Sequence, residues 1–175
     1  MPFVQAYNGD EPYAFVSYAH KDGARIMEVL AALYALRVRT WYDEGIEVGA
    51  NWPEKVATRL KNAGLVILFL SESFLLSQNC LRELNYAVSE RKKLLCVRLD
   101  DAKLPNDVSM QLSTVPQIDA RTLTPQAIAE ACKKSGLIGQ GFFGDGKTGY
   151  TRDASAGKRQ KMPGWRRRSY SARCC

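Results

Sequence analysis

Short apolar runs alternate with helix-period patterns along the first 135 residues of the chain. Runs of apolar residues bounded by polar or glycine-bearing segments predict strands. The segment Leu65–Leu70 (LVILFL) is apolar at every position, as expected for a strand that is buried on both faces of a sheet. The predicted strands cover Tyr13–Tyr18, Arg37–Asp43, Leu65–Leu70, Leu94–Leu99 and Pro116–Ala120.

Four segments between and after these strands have the spacing of amphipathic helices. One begins after Asn51, which can cap it, carries Pro53 in its first turn, and continues to Lys61. The others are a helix with Ile26, Val29, Leu30, Leu33 and Leu36 on one face, a segment Ser71–Glu90 that we expect in two pieces around Gln78 and Asn79, and Pro125–Lys134. The stretch Asp100–Val115 is expected to be irregular.

This alternation with short connections predicts an α/β domain: a doubly wound, mostly parallel five-stranded sheet with helices on both faces. Ligands of such sheets bind outside the carboxyl ends of the strands. Three loops at that edge carry polar residues, and we expect any site to draw on them. They hold Ala19–Asp22 after the first strand, Asp43 and the glycine-bearing loop 44–51 after the second, and Ser71–Ser73 after the third.

Composition narrows the class of protein. The chain has 46% hydrophobic and 25% charged residues, which is typical of a globular domain. No apolar run approaches the length of a membrane span, and the N-terminus lacks the pattern of a secretory signal, so we expect a cytoplasmic protein. Five cysteines without C-x-x-C spacing and a single histidine, His20, argue against a disulfide framework or a zinc site.

The net charge of +7 lies entirely in the last 40 residues. Residues 1–135 hold 16 basic and 16 acidic side chains, whereas residues 136–175 hold 9 and 2, and 9 − 2 = 7. We therefore expect a folded domain, 1–135, and a basic, poorly ordered tail, 136–175, although Leu137, Phe142 and Phe143 could dock on the domain. Such a tail can attract nucleic acid or an anionic membrane, but its sparse aromatic residues favour a solvated extension.

Three stretches of the chain together carry a family resemblance. They are YAFVSYAHKD, TWYDEGIEVGANWPEKV and LVILFLSESFLLSQNCLRELNYAV, the last with a Cys-x-x-Glu-Leu signature at Cys80 and Glu83. In this order they resemble the Toll/interleukin receptor (TIR) family, most closely its bacterial-type domains. The similarity covers Glu11–Ala120 and extends to the helix that ends at Lys134, and it implies a flavodoxin-like fold.

The resemblance implies two alternative functions. Catalytically active members cleave the bond between nicotinamide and ribose in NAD with a glutamate that corresponds to Glu83. NAD is then the substrate, no cofactor or metal is required, and the second product is ADP-ribose or a cyclic form of it. Other members are non-catalytic modules that assemble with TIR domains, so the expected partners are NAD, other TIR domains and further copies of the chain.

A carboxylate suits this reaction because positive charge develops on the ribose as nicotinamide leaves. Preorganised negative charge beside the ribose stabilises that charge. Serines at the third strand could bind ribose or phosphate, a glycine loop could close over the ligand, and aromatic rings, Trp41 among them, could stack on a base. The candidate contacts are Tyr18, Ala19, His20, Asp43, Gly45, Gly49, Trp52, Ser71, Ser73 and Cys80.

Structural roles are open alternatives for several candidates. The two serines are good helix caps, the tryptophans are common core residues, and Cys80 suits a small buried position. Many bacterial members also place a tryptophan four residues before the glutamate, where this chain has Asn79. An aromatic wall would then have to come from elsewhere, for example from Phe74 or Trp52.

Two other classes of small α/β protein are disfavoured. A response-regulator receiver needs an aspartate at the end of the third strand, where this chain has Leu70-Ser71-Glu72. A Rossmann dehydrogenase needs G-x-G-x-x-G after the first strand, and that motif is missing there.

Overall fold

The structure, a computed structural model, describes residues 4–43 and 52–144, except the side chain of Trp52. Within these ranges five parallel strands form one sheet in the order β2-β1-β3-β4-β5. This flavodoxin-like order confirms the predicted fold class. The strands are β1 (Ala14–Ser17), β2 (Thr40–Tyr42), β3 (Leu65–Leu70), β4 (Leu94–Arg98) and β5 (Gln117–Asp119).

The helices connect these strands and cover the sheet. In chain order they are α1 (Gly23–Ala35), α2 (Trp52–Asn62), α3 (Glu72–Leu76), α4 (Gln78–Ser89), α5 (Asn106–Gln111) and α6 (Pro125–Lys134). Parallel strands require crossover connections, and right-handed crossovers, the usual kind, put helices on both faces of a sheet with this order. On one face α1 packs against α6, and on the other α2 packs against α4.

Two sequence expectations about the helices need correction. The stretch 100–115 is not irregular throughout, because it contains α5, whose Val108 is buried. The break between α3 and α4 falls at Ser77 rather than at Gln78 and Asn79. Ser77 has extended backbone and caps α4, since its hydroxyl accepts a hydrogen bond from Cys80 N at 3.3 Å.

The strand β3 forms the centre of the core. All six of its residues are buried, as the apolar run predicts. Its neighbours β1 and β4 supply further buried positions, and α1 adds one continuous apolar stripe. That stripe consists of Ile26, Val29, Leu30 and Leu33.

The residues just before β2 are paired with a segment from beyond residue 135. Arg39 N donates to Phe142 O and Gly144 N donates to Arg37 O, both at 2.9 Å, and Val38 forms an antiparallel bridge with Phe143. The ring of Phe142 lies so close to Gly64 that a Cβ there would come within 2.7 Å of it. Residues 137–144, here called the edge segment, therefore pack on the domain, whereas 145–175 lie outside the described residues. No helix in 4–43 and 52–144 is long and apolar enough to cross a membrane.

Candidate active site

The carboxyl ends of β1, β2 and β3 meet at one edge of the sheet, because the three strands are parallel and adjacent. In register, Val16 lies beside Tyr42, and Ser17 lies beside Leu68. The residues that leave these strands therefore converge on one region. This is the edge at which the sequence predicted a site.

Glu83 reaches this edge from α4. Its carboxylate Oε2 accepts a hydrogen bond of 2.5 Å from the hydroxyl of Ser17, the last residue of β1. The pKa of Glu83 is raised to about 7, chiefly by burial; the Ser17 hydrogen bond opposes this rise and the negative charge of Asp43 adds to it. A carboxyl group that is half protonated near neutral pH, held by a strand and facing a second carboxylate, is a common feature of functional sites.

Ser71 and Asp22 form a second polar pair at the same edge. The Ser71 hydroxyl donates to Asp22 Oδ2 at 2.6 Å and accepts from Phe74 N at 3.0 Å, so it caps α3. Ser71 is only 3% exposed, which leaves it a structural role in this arrangement. Ser73 is half-buried in the first turn of α3.

Cys80 lies on α4, three residues before Glu83. It is 3% exposed, and burial raises the pKa of its thiol to about 11. The thiol is therefore protonated at neutral pH and is a packing residue, since nucleophilic chemistry needs the thiolate. The negative charges of Glu83 and Asp22 contribute to this rise, so both carboxyl groups act on the thiol.

The candidate contacts after β1 include a small cluster of rings around Tyr18. Tyr18 is half-buried, and its hydroxyl donates to Asp43 O at 3.5 Å. Its ring centroid lies 6.2 Å from that of His20, which is exposed, and 6.5 Å from that of Tyr42. Ala19 is buried. The structure thus brings Tyr18, His20 and Asp43 together, and the charge of Asp43 acts on Glu83.

Two aromatic residues lie in the core rather than at the site. Trp41 is buried and stacks on Phe15 with ring centroids 5.1 Å apart. Phe74 is completely buried, so the suggestion that it supplies an aromatic wall is wrong. Three further candidates, Gly45, Gly49 and the side chain of Trp52, lie outside the described residues.

A cleft of about 140 Å³ opens between α2 and α4, with Glu83 in its wall. The α2 side is apolar, and the α4 side adds an amide, a guanidinium, a carboxyl and a phenol. Its lining is Pro53, Val56, Ala57, Leu60, Asn79, Arg82, Glu83 and Tyr86. An apolar wall with a few polar groups opposite it is a common lining for a ligand site, but most ligand pockets are roughly 300–1,000 Å³. This cleft is smaller and has room for a small group or for one part of a larger ligand.

Sequence reasoning missed Ser17, Arg82 and Tyr86. Tyr86 follows Glu83 by three residues, about one helical turn, so the helix pattern could have indicated it, whereas Arg82 is the adjacent residue and had no such signal. The signal for Ser17 was a serine in an otherwise apolar strand, AFVS. Within residues 4–43 and 52–144, no three His, Cys, Asp or Glu residues are grouped closely enough to hold a metal ion.

Comparisons with known proteins identify the family of the chain and support its fold. The family model described as "TIR domain" matches residues 14–133, so the chain belongs to the TIR domain family, a family of signalling domains. A comparison with curated protein sequences gives no match.

Solved structures with the same fold include two distant proteins. The TIR domain of the Toll-related receptor TRR-2 from Hydra magnipapillata is 15% identical, with a TM-score of 0.55 over 69% of this chain and 95% of that one. The CMP N-glycosidase BcmB from Clostridium botulinum is 11% identical, with a TM-score of 0.54 over 70% of this chain and 98% of that one. At these identities the similarity concerns the fold.

Proposed function

We propose that this TIR domain cleaves the N-glycosidic bond between nicotinamide and ribose in NAD, with Glu83 as the catalytic residue. The observation that carries the proposal is the placement of Glu83. Its carboxyl group is fixed by a hydrogen bond at the carboxyl edge of the sheet, and it lines a cleft with an apolar floor. The Clostridium botulinum protein of the same fold is a CMP N-glycosidase. Its name supports the proposal that the bond cleaved by this chain is also an N-glycosidic bond.

The proposed chemistry requires little more than a well-placed negative charge. The C1′–N bond breaks, its electron pair goes to the pyridinium nitrogen, and neutral nicotinamide leaves without a proton. The ribose gains oxocarbenium character, which the Glu83 carboxylate stabilises. Water attacks C1′ and loses a proton, so NAD and water give nicotinamide, ADP-ribose and H⁺. Attack by a nitrogen of the adenine of the same molecule gives the cyclic product instead.

The test is nicotinamide release by the purified full chain at high protein concentration, with products separated by chromatography. We expect Glu83→Gln to lower turnover by about 10²-fold or more, as for other groups that stabilise transition-state charge. The matched control is Glu90→Gln, which removes a carboxylate from the end of the same helix and should leave turnover unchanged. Equal turnover in the Glu83→Gln and unaltered proteins would contradict the role of Glu83.

A second candidate function is a non-catalytic module that acts by assembly with other TIR domains. The observation that favours it is Asn79, an exposed amide in the wall of the cleft, where no aromatic side chain faces Glu83 from the position four residues before it. If the chain releases no nicotinamide even when fused to an oligomeric protein that forces assembly, this second function is the better account.

A further inference from the structure

The hydroxyl of Ser17 is buried in a strand that is otherwise apolar. Ser17 is 1% exposed, and its neighbours Ala14, Phe15 and Val16 all belong to the core. A buried hydroxyl is destabilising unless it makes a hydrogen bond. That of Ser17 donates to Glu83 Oε2 at 2.5 Å, across 66 residues of sequence. The hydrogen bond to Glu83 on α4 therefore explains why a polar residue is tolerated at this buried position of the strand.

We propose that Ser17 is a positioning residue of this site, whose hydroxyl fixes the Glu83 carboxyl group at the end of β1 and favours its ionised form. The proposal rests on the function proposed above. Ser17 is too deeply buried to contact the ribose, so it acts through Glu83. It does so from the last residue of an inner strand of the sheet, and sites held by such rigid elements are better preorganised than sites held by loops.

Among the described residues, Ser17 is the group that stabilises the ionised form of Glu83, and the other groups nearby do not. Asp43 at the end of β2 repels the carboxylate, and the Cys80 thiol on α4 is neutral at physiological pH. Arg82 and Tyr86 line the same cleft, and the structure shows no hydrogen bond or ion pair from either to Glu83 among the described residues. Burial and Asp43 thus both favour the protonated form, and the Ser17 hydrogen bond opposes them.

The hydrogen bond also restrains the direction of the side chain. A glutamate has three rotatable bonds, so its carboxyl group can leave the edge of the sheet, and repulsion by Asp43 favours that movement. One strong hydrogen bond to a charged oxygen restrains the carboxyl group beside the strand end. Loss of Ser17 should therefore lower the rate of the chemical step more than it affects the binding of substrate.

The first measurement is the titration of the Glu83 side-chain carboxyl carbon by NMR, with Glu83→Gln used to assign the signal. We expect Ser17→Ala to shift the midpoint upward by about one pH unit, because a hydrogen bond to the ionised form is lost. Ser17→Cys, whose thiol is a weaker donor of similar shape, should shift it in the same direction by less. If Ser17→Ala does not fold, the shift of Ser17→Cys decides the question.

The matched control is Thr40→Val. It removes a buried hydroxyl from the adjacent strand β2, and Thr40 Oγ1 has no hydrogen-bond partner among the described residues. This variant should leave the Glu83 midpoint unchanged. An unchanged midpoint in both Ser17 variants would overturn the proposal, as would an equal shift in Thr40→Val.

Activity gives the second readout. We expect kcat of Ser17→Ala for NAD to fall about tenfold at pH 7 with KM nearly unchanged, and the acid limb of the kcat profile to shift upward by the same amount as the NMR midpoint. A kcat profile of Ser17→Ala that matches that of the unaltered chain in both height and acid limb would overturn the assigned role. If the unaltered chain does not cleave NAD, the proposed function fails, whereas the NMR titration still tests the coupling of Ser17 to Glu83.

Discussion

Glu83 has a carboxyl group that folding makes harder to ionise. Its pKa is about 7 in the folded protein, against an ordinary value of 4.5. The folded state therefore holds an extra proton between these two pH values, and the free energy of unfolding falls as pH rises through that window. Above about pH 8 the folded protein carries the full penalty of a half-buried carboxylate beside Asp43.

The first prediction is that Glu83→Gln stabilises the fold at alkaline pH. Glutamine keeps the shape and can accept the Ser17 hydrogen bond, but it carries no charge to desolvate. We expect a gain of about 2 kcal/mol at pH 8 and none near pH 4, where Glu83 is protonated in both states. Denaturant unfolding at the two pH values measures it, and a gain that does not depend on pH would contradict this explanation.

Ser71 illustrates a residue whose sequence pattern fits two roles. It was a candidate contact for ribose and also a candidate helix cap, and in the structure its hydroxyl binds Phe74 N and Asp22. The hydroxyl makes these two bonds at a buried position. The local role, capping, was readable from the sequence, whereas the bond to Asp22 was not.

The second prediction concerns this cap. Ser71→Ala should lower the free energy of unfolding by about 2–3 kcal/mol, because it removes a cap and leaves the Asp22 carboxylate without its hydroxyl donor. Ser77→Ala is the comparison, since Ser77 caps α4 with a longer bond at a less buried position. Ser77→Ala should lower the free energy of unfolding by about 1 kcal/mol. Equal effects in the two variants would show that the Asp22 contact contributes nothing.

At the scale of elements, the predictions succeed where the pattern is long and fail where it is short. The bounds of β3 and α6 agree with the sequence expectation, because a continuous apolar run and a capped helix with proline in its first turn are unambiguous signals. The helix α5 has only six residues and one buried apolar position, Val108. Tertiary contacts stabilise it, including a hydrogen bond from Gln111 to Asn85 on α4.

The edge segment, 137–144, is an element that composition obscured. Its glycines and its place before the basic tail suggested a disordered stretch, although its phenylalanines could dock. In the structure it pairs with residues 37–39, which lead into the edge strand β2 and would otherwise present unpaired backbone groups. Ile138 is buried, and the ammonium group of Lys133 lies 5.7 Å from the centre of the Phe143 ring.

The third prediction tests this segment by truncation. A chain ending at residue 136 should lose about 3 kcal/mol of stability relative to a chain ending at residue 144, because it loses the buried side chain of Ile138 and the half-buried rings of Phe142 and Phe143. Thermal unfolding of both chains is the measurement. The full chain with Ile138→Ala serves as a milder control, and equal midpoints for the two truncated chains would show that the segment does not stabilise the domain.

At the scale of the whole molecule, the charge and the candidate site are separate in sequence. Residues 1–144 hold 16 basic and 16 acidic side chains, so the entire net charge of +7 belongs to residues 145–175. Every group that forms the described site lies between Ser17 and Tyr86. Attraction to a polyanion and the proposed chemistry should therefore be separable.

The fourth prediction follows from that separation. A chain of residues 1–144 should cleave NAD at the rate of the full chain but lose retention on an anionic surface. Co-sedimentation with anionic vesicles at low salt measures retention, which for the full chain should weaken at about 0.15 M salt because exposed charges are screened. Retention of the 1–144 chain equal to that of the full chain would place the anion-binding surface on the domain.

The sequence by itself determined the class of fold and the region of the site. The signals were local patterns in the order of residues. They are the continuous apolar run of β3, the helical spacing between strands and the capping residues at helix starts. They were sufficient for a parallel doubly wound sheet, and the three matching stretches pointed to Glu83. The carboxyl edge followed from the topology alone.

Only the tertiary structure decided which polar groups meet. The Ser17–Glu83 bond spans 66 residues, and the Ser71–Asp22 bond spans 49. Such contacts depend on strand register and on how a helix packs across the sheet, and neither is encoded in the spacing of residues near the site. For the same reason the sequence could not separate Trp41 and Phe74, which lie in the core, from Tyr18, which lies at the site.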